Sequence, residues 1–167
     1  MVQDDSWKQL QLVNEIVRYA DTKAGLVLTL NGVLIGLIAV RVQTGGFLDS
    51  HPVPAATLLL AVAFLTLSVA FDIAAVMPRL AASGQESSLL HFEYIGERFA
   101  ANQDDYVDEF AKLVSDPDRL QRALGAQVWA NSVVARRKYT YVGWSLRFLA
   151  GALGATVLAA VIGGLGG

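Results

Sequence analysis

The run Arg136-Arg137-Lys138-Tyr139-Thr140-Tyr141 places three basic residues beside two tyrosines. Guanidinium and ammonium groups bind phosphate, and an aromatic ring stacks on a flat base, so the run suits a small anion that carries a ring, such as a nucleotide. The alternative is a basic cluster that holds the end of a membrane helix against anionic lipid. Spacing alone favours this alternative.

A polar face precedes this run on the same predicted helix. Leu120 and Leu124 begin an apolar stripe, and Gln127, Asn131 and Lys138 continue it at helical spacing. Buried amides without hydrogen-bond partners are costly. The stripe is therefore expected to meet either a partner helix with polar groups or a polar ligand.

Three apolar segments are each close to the roughly 20 residues that a helix needs to cross a bilayer. We predict an all-α membrane protein with transmembrane helices at 24–41, 54–77 and 148–165. A cytosolic helix at 1–23, a periplasmic loop at 42–53 and a cytosolic helical region at 78–147 complete the chain. The sequence has no helix-breaking signal between residues 1–23 and the first span, and no proline after Pro117. Spans one and three are therefore predicted to be continuous with cytosolic helices.

Several helix starts have sequence signals. Asn102 and the pair Asp116-Pro117 are predicted to begin two cytosolic helices. A short polar side chain suits the cap in both, and Pro117 suits the first helical position of the second. Ser6-Trp7-Lys8-Gln9 fits a capping box for the first helix. Ser87 or Ser88 is predicted to cap a short helix that ends near Phe99.

The distribution of lysine and arginine predicts the orientation. Of the 13 basic residues, only Arg41 lies between the first two apolar segments, and the other twelve precede the first segment or lie between the second and third. The positive-inside rule makes the side with the excess cytoplasmic. We predict a multi-pass protein of the cell inner membrane with a cytoplasmic N-terminus and a periplasmic C-terminus.

Composition and motifs disfavour several classes of function. The net charge of −2 argues against a long nucleic-acid partner, and the absence of cysteine excludes disulfides and thiolate chemistry. No phosphate-binding loop or convergent catalytic set is present, so we expect no enzyme, catalytic residue or cofactor. An acidic group lacks the spacing of a calcium loop, so no metal site is predicted: Asp104, Asp105, Asp108 and Glu109.

Two polar residues lie within the predicted spans, Asn31 in the first and Asp72 in the second. A carboxylate in lipid costs roughly 2.5–3.5 kcal/mol, so Asp72 should face protein, water or a cation. Lys23 and Arg79 lie near the same membrane face. Asp72 could line a water path or hold a closed state through a salt bridge. The structural alternative, which we favour, is that Asp72 forms a structural ion pair or snorkels to the membrane interface.

Small residues at four-residue spacing suit close packing between membrane helices. Gly32 and Gly36 have this spacing in the first span, and Gly151 and Ala155 have it in the third. The pattern supports association within one chain or between chains, and we expect a homo-oligomer in the lipid bilayer.

The segment Tyr19-Ala20-Asp21-Thr22-Lys23-Ala24-Gly25 enters an apolar helix with Asn31, and Gln127, Asn131 and Arg137-Lys138-Tyr139 precede the last span. Together they resemble the transmembrane effector family of Pycsar, the bacterial pyrimidine-cyclase antiphage system, over about residues 10–160. The resemblance implies that a partner cyclase makes cyclic CMP or cyclic UMP during infection. The effector would sense it and disrupt the inner membrane, killing the cell before phage are released. Five positions match the family's recurring pattern: Asp21, Lys23, Gln127, Asn131 and Lys138.

A cyclic mononucleotide suits this sequence chemically. Arg98, Arg136 or Arg137 can meet its phosphate, and Tyr94, Trp129 or Tyr139 can stack on its base. No cyclic-nucleotide β-roll is visible, so the ligand would bind among helices or at a subunit interface. The resulting candidate ligand-binding residues are Asp21, Lys23, Arg98, Gln127, Asn131, Arg137, Lys138 and Tyr139.

The leading hypothesis is an antiphage abortive-infection effector that responds to cyclic CMP or cyclic UMP and impairs inner-membrane integrity. The alternative is a non-catalytic membrane scaffold whose cytosolic helices bind a protein partner. A membrane enzyme ranks third because the sequence lacks a convergent acid, base and nucleophile.

Overall fold

The computed structural model describes residues 2–43, 52–77 and 88–165, and its regular elements are all α-helices. Helix α1 is Val2–Gln43, α2 is Pro52–Val76, α3 is Phe92–Arg98, α4 is Gln103–Val114 and α5 is Pro117–Leu165. The predicted all-α fold is confirmed. The chain between α1 and α2 at 44–51, and residues 78–87 after α2, lie outside the described residues.

Three of the helices are long and apolar enough to cross a membrane: Asp4–Gln43, Pro52–Val76 and Pro117–Gly163. Their outward faces carry large apolar side chains, such as Leu26 at 63% exposed and Leu59 at 65%. Such exposure would be unfavourable in water and is favourable against lipid. The structure therefore confirms the three apolar helices, while the boundaries at which each enters the bilayer stay predictions.

The chain divides into two compact units. The first contains Met1–Tyr19 and Pro78–Arg136, so it is built from the start of α1, from α3 and α4, and from the start of α5. Its core joins Leu10 of α1 to Leu113 of α4 and to Leu120 and Leu124 of α5. Aromatic rings pack against this core, with Tyr106 5.5 Å from Phe99 between ring centroids.

The second unit contains Ala20–Met77 and Arg137–Gly167, and it joins parts of α1, α2 and α5. Small side chains fill much of its centre, including Ala61 and Ala152, which are fully buried. A Cβ atom on Gly151 would lie 3.2 Å from the Phe64 ring, so this position of α5 allows the close approach of α2. Close contact between helix backbones is typical of association in lipid.

Two predicted helix starts are confirmed. The Asn102 side chain accepts hydrogen bonds from the backbone N–H groups of Asp104 and Asp105 at 3.2 and 3.4 Å. The Asp116 carboxylate accepts from the backbone N–H of Arg119 at 3.0 Å, with Pro117 as the first helical residue. Each carboxylate or amide oxygen satisfies N–H groups that have no partner within the helix.

Two other predicted starts are wrong. Helix α1 begins at Val2, so Ser6 lies inside the helix and does not cap it. Helix α3 begins at Phe92 after His91, whose side chain makes no capping bond. Ser88 instead accepts from the backbone N–H of Leu90 at 3.3 Å in the preceding turn, and Ser87 lies outside the described residues.

Candidate functional site

Four of the predicted site residues form two contacts between α1 and α5 in the second unit. Lys138 of α5 forms an ion pair with the carboxylate of Asp21 on α1. The Lys23 ammonium lies 5.2 Å from the centre of the Tyr139 ring, a cation–π distance. We call this group, Asp21, Lys23, Lys138 and Tyr139, the α1–α5 clasp.

The α1–α5 clasp has an excess of positive charge. The side chain of Lys138 is 17% exposed and that of Asp21 is 41% exposed, so their ion pair is partly shielded from water. Arg137 is exposed, and no described residue forms an ion pair or hydrogen bond with its side chain. The two lysines of the clasp outnumber its single carboxylate, and the exposed Arg137 is next to Lys138 in sequence, so the local charge favours a small anion.

Gln127 and Asn131 form a second group, in the first unit. Gln127 is buried and donates to the Asn131 side-chain oxygen at 3.3 Å. Asn131 in turn donates to the side-chain oxygen of Asn14 on α1 at 2.7 Å. The polar stripe of α5 therefore meets a partner helix with a polar group, one of the two predicted alternatives. The sequence analysis did not foresee Asn14 as that partner.

Arg98 forms the third group, also in the first unit. Its guanidinium lies 5.8 Å from the Tyr94 ring centre and 5.6 Å from that of Phe99. It lines a groove of about 360 Å³ with these residues: Phe99, Asp105, Asp108, Glu109 and Lys112. Three carboxylates and two cations give this groove a net negative charge, which disfavours an anionic ligand.

A polar cluster of four fully buried residues joins the three long helices of the second unit: Asn31, Ser68, Asp72 and Ser145. Asn31 of α1 donates to Ser68 at 2.9 Å and to Asp72 at 3.0 Å, both on α2. The Ser68 hydroxyl lies 3.0 Å from the backbone oxygen of Ser145 on α5 and donates to it. Four side chains therefore connect three helices where apolar residues surround them.

The polar cluster changes the interpretation of Asp72. Its partners in the described part of the chain are the neutral Asn31 and Ser145, whereas Lys23 lies over Tyr139. Arg79, the other predicted partner, lies outside the described residues. Sequence reasoning missed Ser68, although its four-residue spacing from Asp72 places both on one face of α2. Within the described residues, no group of three or more histidine, cysteine or acidic side chains is arranged to hold a metal ion.

Comparison with known proteins gives a family match over nearly the whole chain. The model of the Pycsar effector protein domain matches residues 5–164. The chain belongs to this Pycsar effector family. The predicted resemblance is confirmed, and membership places the chain among the effectors of antiphage defence, which are not a known class of enzyme.

Two curated Pycsar effectors are similar to this chain. The Pycsar effector protein PtPycTM of Propioniciclava tarda is 29% identical over 168 residues, which cover 96% of this chain and 79% of that protein. The Pycsar effector protein MePycTM of Micromonospora echinofusca is 45% identical over 56 residues, or 32% of this chain and 95% of that protein. No solved structure matches. Together with the three apolar helices, the family match identifies a membrane protein.

Proposed function

We propose that this Pycsar effector binds a cyclic pyrimidine mononucleotide, cyclic CMP or cyclic UMP, made by a partner cyclase, and then impairs the integrity of the inner membrane. The observation that carries the proposal is the α1–α5 clasp. It combines a lysine already bound to a carboxylate, a second lysine and an aromatic ring at the contact of two long apolar helices, and the exposed Arg137 adjoins it in sequence.

The α1–α5 clasp suits the chemistry of this ligand. A cyclic monophosphate carries one negative charge, which Arg137 and Lys138 can bind through charge-assisted hydrogen bonds. Its base can stack on Tyr139, where the Lys23 ammonium now lies. The phosphate would compete with Asp21 for Lys138. The negatively charged groove around Arg98 offers no such preference for an anion.

Loss of the Asp21–Lys138 ion pair would provide the response. A ligand shifts a conformational equilibrium only when it binds one state more tightly than the other. The state that the ligand favours is the one in which Lys138 has released Asp21, and in which α1 and α5 are less firmly joined. Separation of these helices within the bilayer would let ions pass.

Topology and assembly complete the proposal. The excess of basic residues in 1–23 and 78–147 supports a cytosolic location for both regions, with the chain crossing the inner membrane at 24–41, 54–77 and 148–165. The N-terminus is then cytoplasmic, the C-terminus periplasmic and residues 42–53 a periplasmic loop. Gly32 and Gly36 of α1 have open space beside them, which supports packing against a second copy in a homo-oligomer.

Leakage from dye-loaded liposomes tests the proposed function. Protein inserted with verified orientation should release dye when cyclic CMP or cyclic UMP is added, and cyclic AMP and cyclic GMP serve as ligand controls. Replacement of Lys138 or Arg137 with alanine should raise the ligand concentration that gives half-maximal leakage. Arg98→Ala and Lys112→Ala, the matched charge removals in the groove, should leave it unchanged.

The outcomes of this assay separate the function from its site. Absence of leakage with every cyclic mononucleotide contradicts the proposed function. Leakage that Arg98→Ala weakens and Lys138→Ala does not would move the site from the α1–α5 clasp to the groove.

A membrane scaffold is the second candidate function. Phe92 is 73% exposed and Trp129 is 63% exposed in the unit of residues 1–19 and 78–136, and exposed aromatic side chains are typical anchors of protein contacts. This function predicts a stoichiometric protein partner on affinity purification from the native host. It also predicts that Trp129→Ala abolishes that complex, and that no cyclic nucleotide causes leakage.

A further inference from the structure

We propose that the polar cluster of Asn31, Ser68, Asp72 and Ser145 binds one small monovalent cation, an alkali metal ion or a proton, between the three long helices. All four residues are fully buried. Two of their oxygen atoms, Oδ1 of Asn31 and Oδ1 of Asp72, have no hydrogen-bond partner among the described protein atoms. Unpaired polar atoms in a low-dielectric interior are costly, so these two oxygens call for a positively charged or hydrogen-donating partner.

The donors of the polar cluster are already in use. The two N–H bonds of the Asn31 amide point to Ser68 Oγ at 2.9 Å and to Asp72 Oδ2 at 3.0 Å. The single hydroxyl hydrogen of Ser68 is used toward Ser145, whose backbone oxygen is at 3.0 Å and whose Oγ is at 2.9 Å. The Ser145 hydroxyl hydrogen-bonds to Asp72. What remains is a set of acceptor lone pairs without a donor.

The orientation of the Asn31 amide does not remove this imbalance. Exchange of its oxygen and nitrogen would turn the carbonyl oxygen toward the Asp72 carboxylate, and two acceptors would then face each other. The contact of 3.0 Å between Asn31 Nδ2 and Asp72 Oδ2 therefore fixes the amide as described. Its oxygen is left for a cation.

Charge balance selects a monovalent ion. The polar cluster contains one carboxylate, so one positive charge makes it neutral, whereas a divalent ion would leave an uncompensated charge among apolar side chains. The available ligands are a carboxylate, an amide oxygen, hydroxyls and a backbone carbonyl. Such oxygen ligands suit a hard cation.

The cationic side chains of α1 and α5 in this unit do not supply that charge. Five of them flank the polar cluster along the chain: Lys23, Arg41, Arg137, Lys138 and Arg147. Lys23 and Lys138 belong to the α1–α5 clasp, and the Arg147 guanidinium lies 4.7 Å from the centre of the Trp144 ring. Arg41 follows Asn31 by ten residues, which is about 15 Å along an α-helix, and Arg137 precedes Ser145 by eight residues, which is about 12 Å.

Thermal unfolding of the full-length protein in detergent, without nucleotide, tests the cation site. Sodium chloride replaces choline chloride at constant ionic strength, and potassium chloride forms a second series. A third series lowers the pH from about 8 to about 5 in choline chloride. Because a ligand that binds only the folded state stabilises it by mass action, the midpoint temperature Tm should rise by several degrees and saturate in one of these series.

Asp72→Asn is the decisive variant. Its amide has nearly the shape of the carboxylate and adds two N–H donors, so it should fold and lose the dependence of Tm on the cation. Thr66→Val on the same helix removes an exposed hydroxyl whose one hydrogen bond within the described residues is to the Val62 carbonyl, and it should keep the full dependence. Should Asp72→Asn not fold, Ser145→Ala replaces it and should raise the cation concentration at half-saturation.

Each result decides the proposal. A rise in Tm with sodium or potassium that is absent in Asp72→Asn identifies an alkali metal ion. A rise confined to acid, also absent from Asp72→Asn, identifies a proton. A wild-type Tm that responds to none of the three series, or a response of equal size in Asp72→Asn, overturns the cation site.

Discussion

Replacement of Asp21 with asparagine should make the effector more sensitive to its nucleotide. In the α1–α5 clasp, the ligand phosphate must displace the Asp21 carboxylate from Lys138 before it can bind there. Asparagine keeps the size of the side chain and removes its charge, so Lys138 becomes easier to capture. The expected result is leakage at a lower concentration of cyclic CMP or cyclic UMP.

The size of this effect follows from the burial of the ion pair. Fully exposed pairs contribute about 0–1 kcal/mol, and the lysine of this pair is only 17% exposed while its aspartate is 41% exposed. A value near the top of that range, about 1 kcal/mol, is therefore expected. Since about 1.36 kcal/mol corresponds to a factor of ten, the half-maximal ligand concentration should fall about fivefold.

The assay is a dose–response measurement of dye release, with Asp4→Asn as the matched control. Asp4 pairs with Lys8 at 2.7 Å on the same helix, but both side chains are about two-thirds exposed, at 68% and 65%. Its removal should change the half-maximal concentration by less than about twofold. A concentration that rises in Asp21→Asn would show that Asp21 binds the ligand itself. An unchanged concentration would refute competition for Lys138.

Three further predictions concern stability in the full-length protein. Ser68→Ala removes two simultaneous hydrogen bonds from the polar cluster, each worth roughly 0.6 kcal/mol, and should lower the free energy of unfolding by about 1.2 kcal/mol in a detergent-denaturant titration. The control Thr66→Val should change the free energy of unfolding by less than about 0.5 kcal/mol. An effect of Ser68→Ala no larger than that of the control would contradict a stabilising role for these hydrogen bonds. Leu124→Ala should cost about 2.7–5 kcal/mol, because Leu124 is fully buried, and hydrogen exchange at the start of α5 reports the loss. Hydrogen-exchange protection at the start of α5 equal to that of the wild type would contradict this loss of stability. Asn102→Ala should cost about 1 kcal/mol and speed hydrogen exchange in the first turn of α4 only, and slow exchange in that turn would show that its cap is dispensable.

The helices were predictable wherever local chemistry determines them. Asn102 and Asp116 sit beside the first N–H groups of their helices, and nothing distant changes that relationship. The capping box at Ser6 failed because the helix extends back to Val2, where Asp4 and Asp5 in the first turn are favourable beside the positive end of the helix dipole. Helix boundaries set by a balance of small propensities are harder to predict than those set by one strong cap.

The candidate site was predictable only in part, because its contacts join distant segments. Asp21 and Lys138 are 117 residues apart, as are Asn14 and Asn131. Residue type marked Asp21 and Lys138 as candidates, but their pairing depends on the register between α1 and α5. The sequence offered little reason to select Ser68, because a single serine adds little to the free energy of placing a helix in a membrane. Only the packing of the helices shows that its hydroxyl joins three of them.

Alanine accounts for six of the twelve buried apolar residues in the two clusters at the centre of the α1–α2–α5 unit. An alanine side chain is a single methyl group, so a helix interface rich in alanine offers little steric resistance when one helix slides along another. Directional bonds between amide, hydroxyl and carboxylate groups must then supply the longitudinal alignment. We therefore expect that a loss of polarity at Asn31 would produce several coexisting alignments, seen as multiple backbone amide resonances, before it produces unfolding.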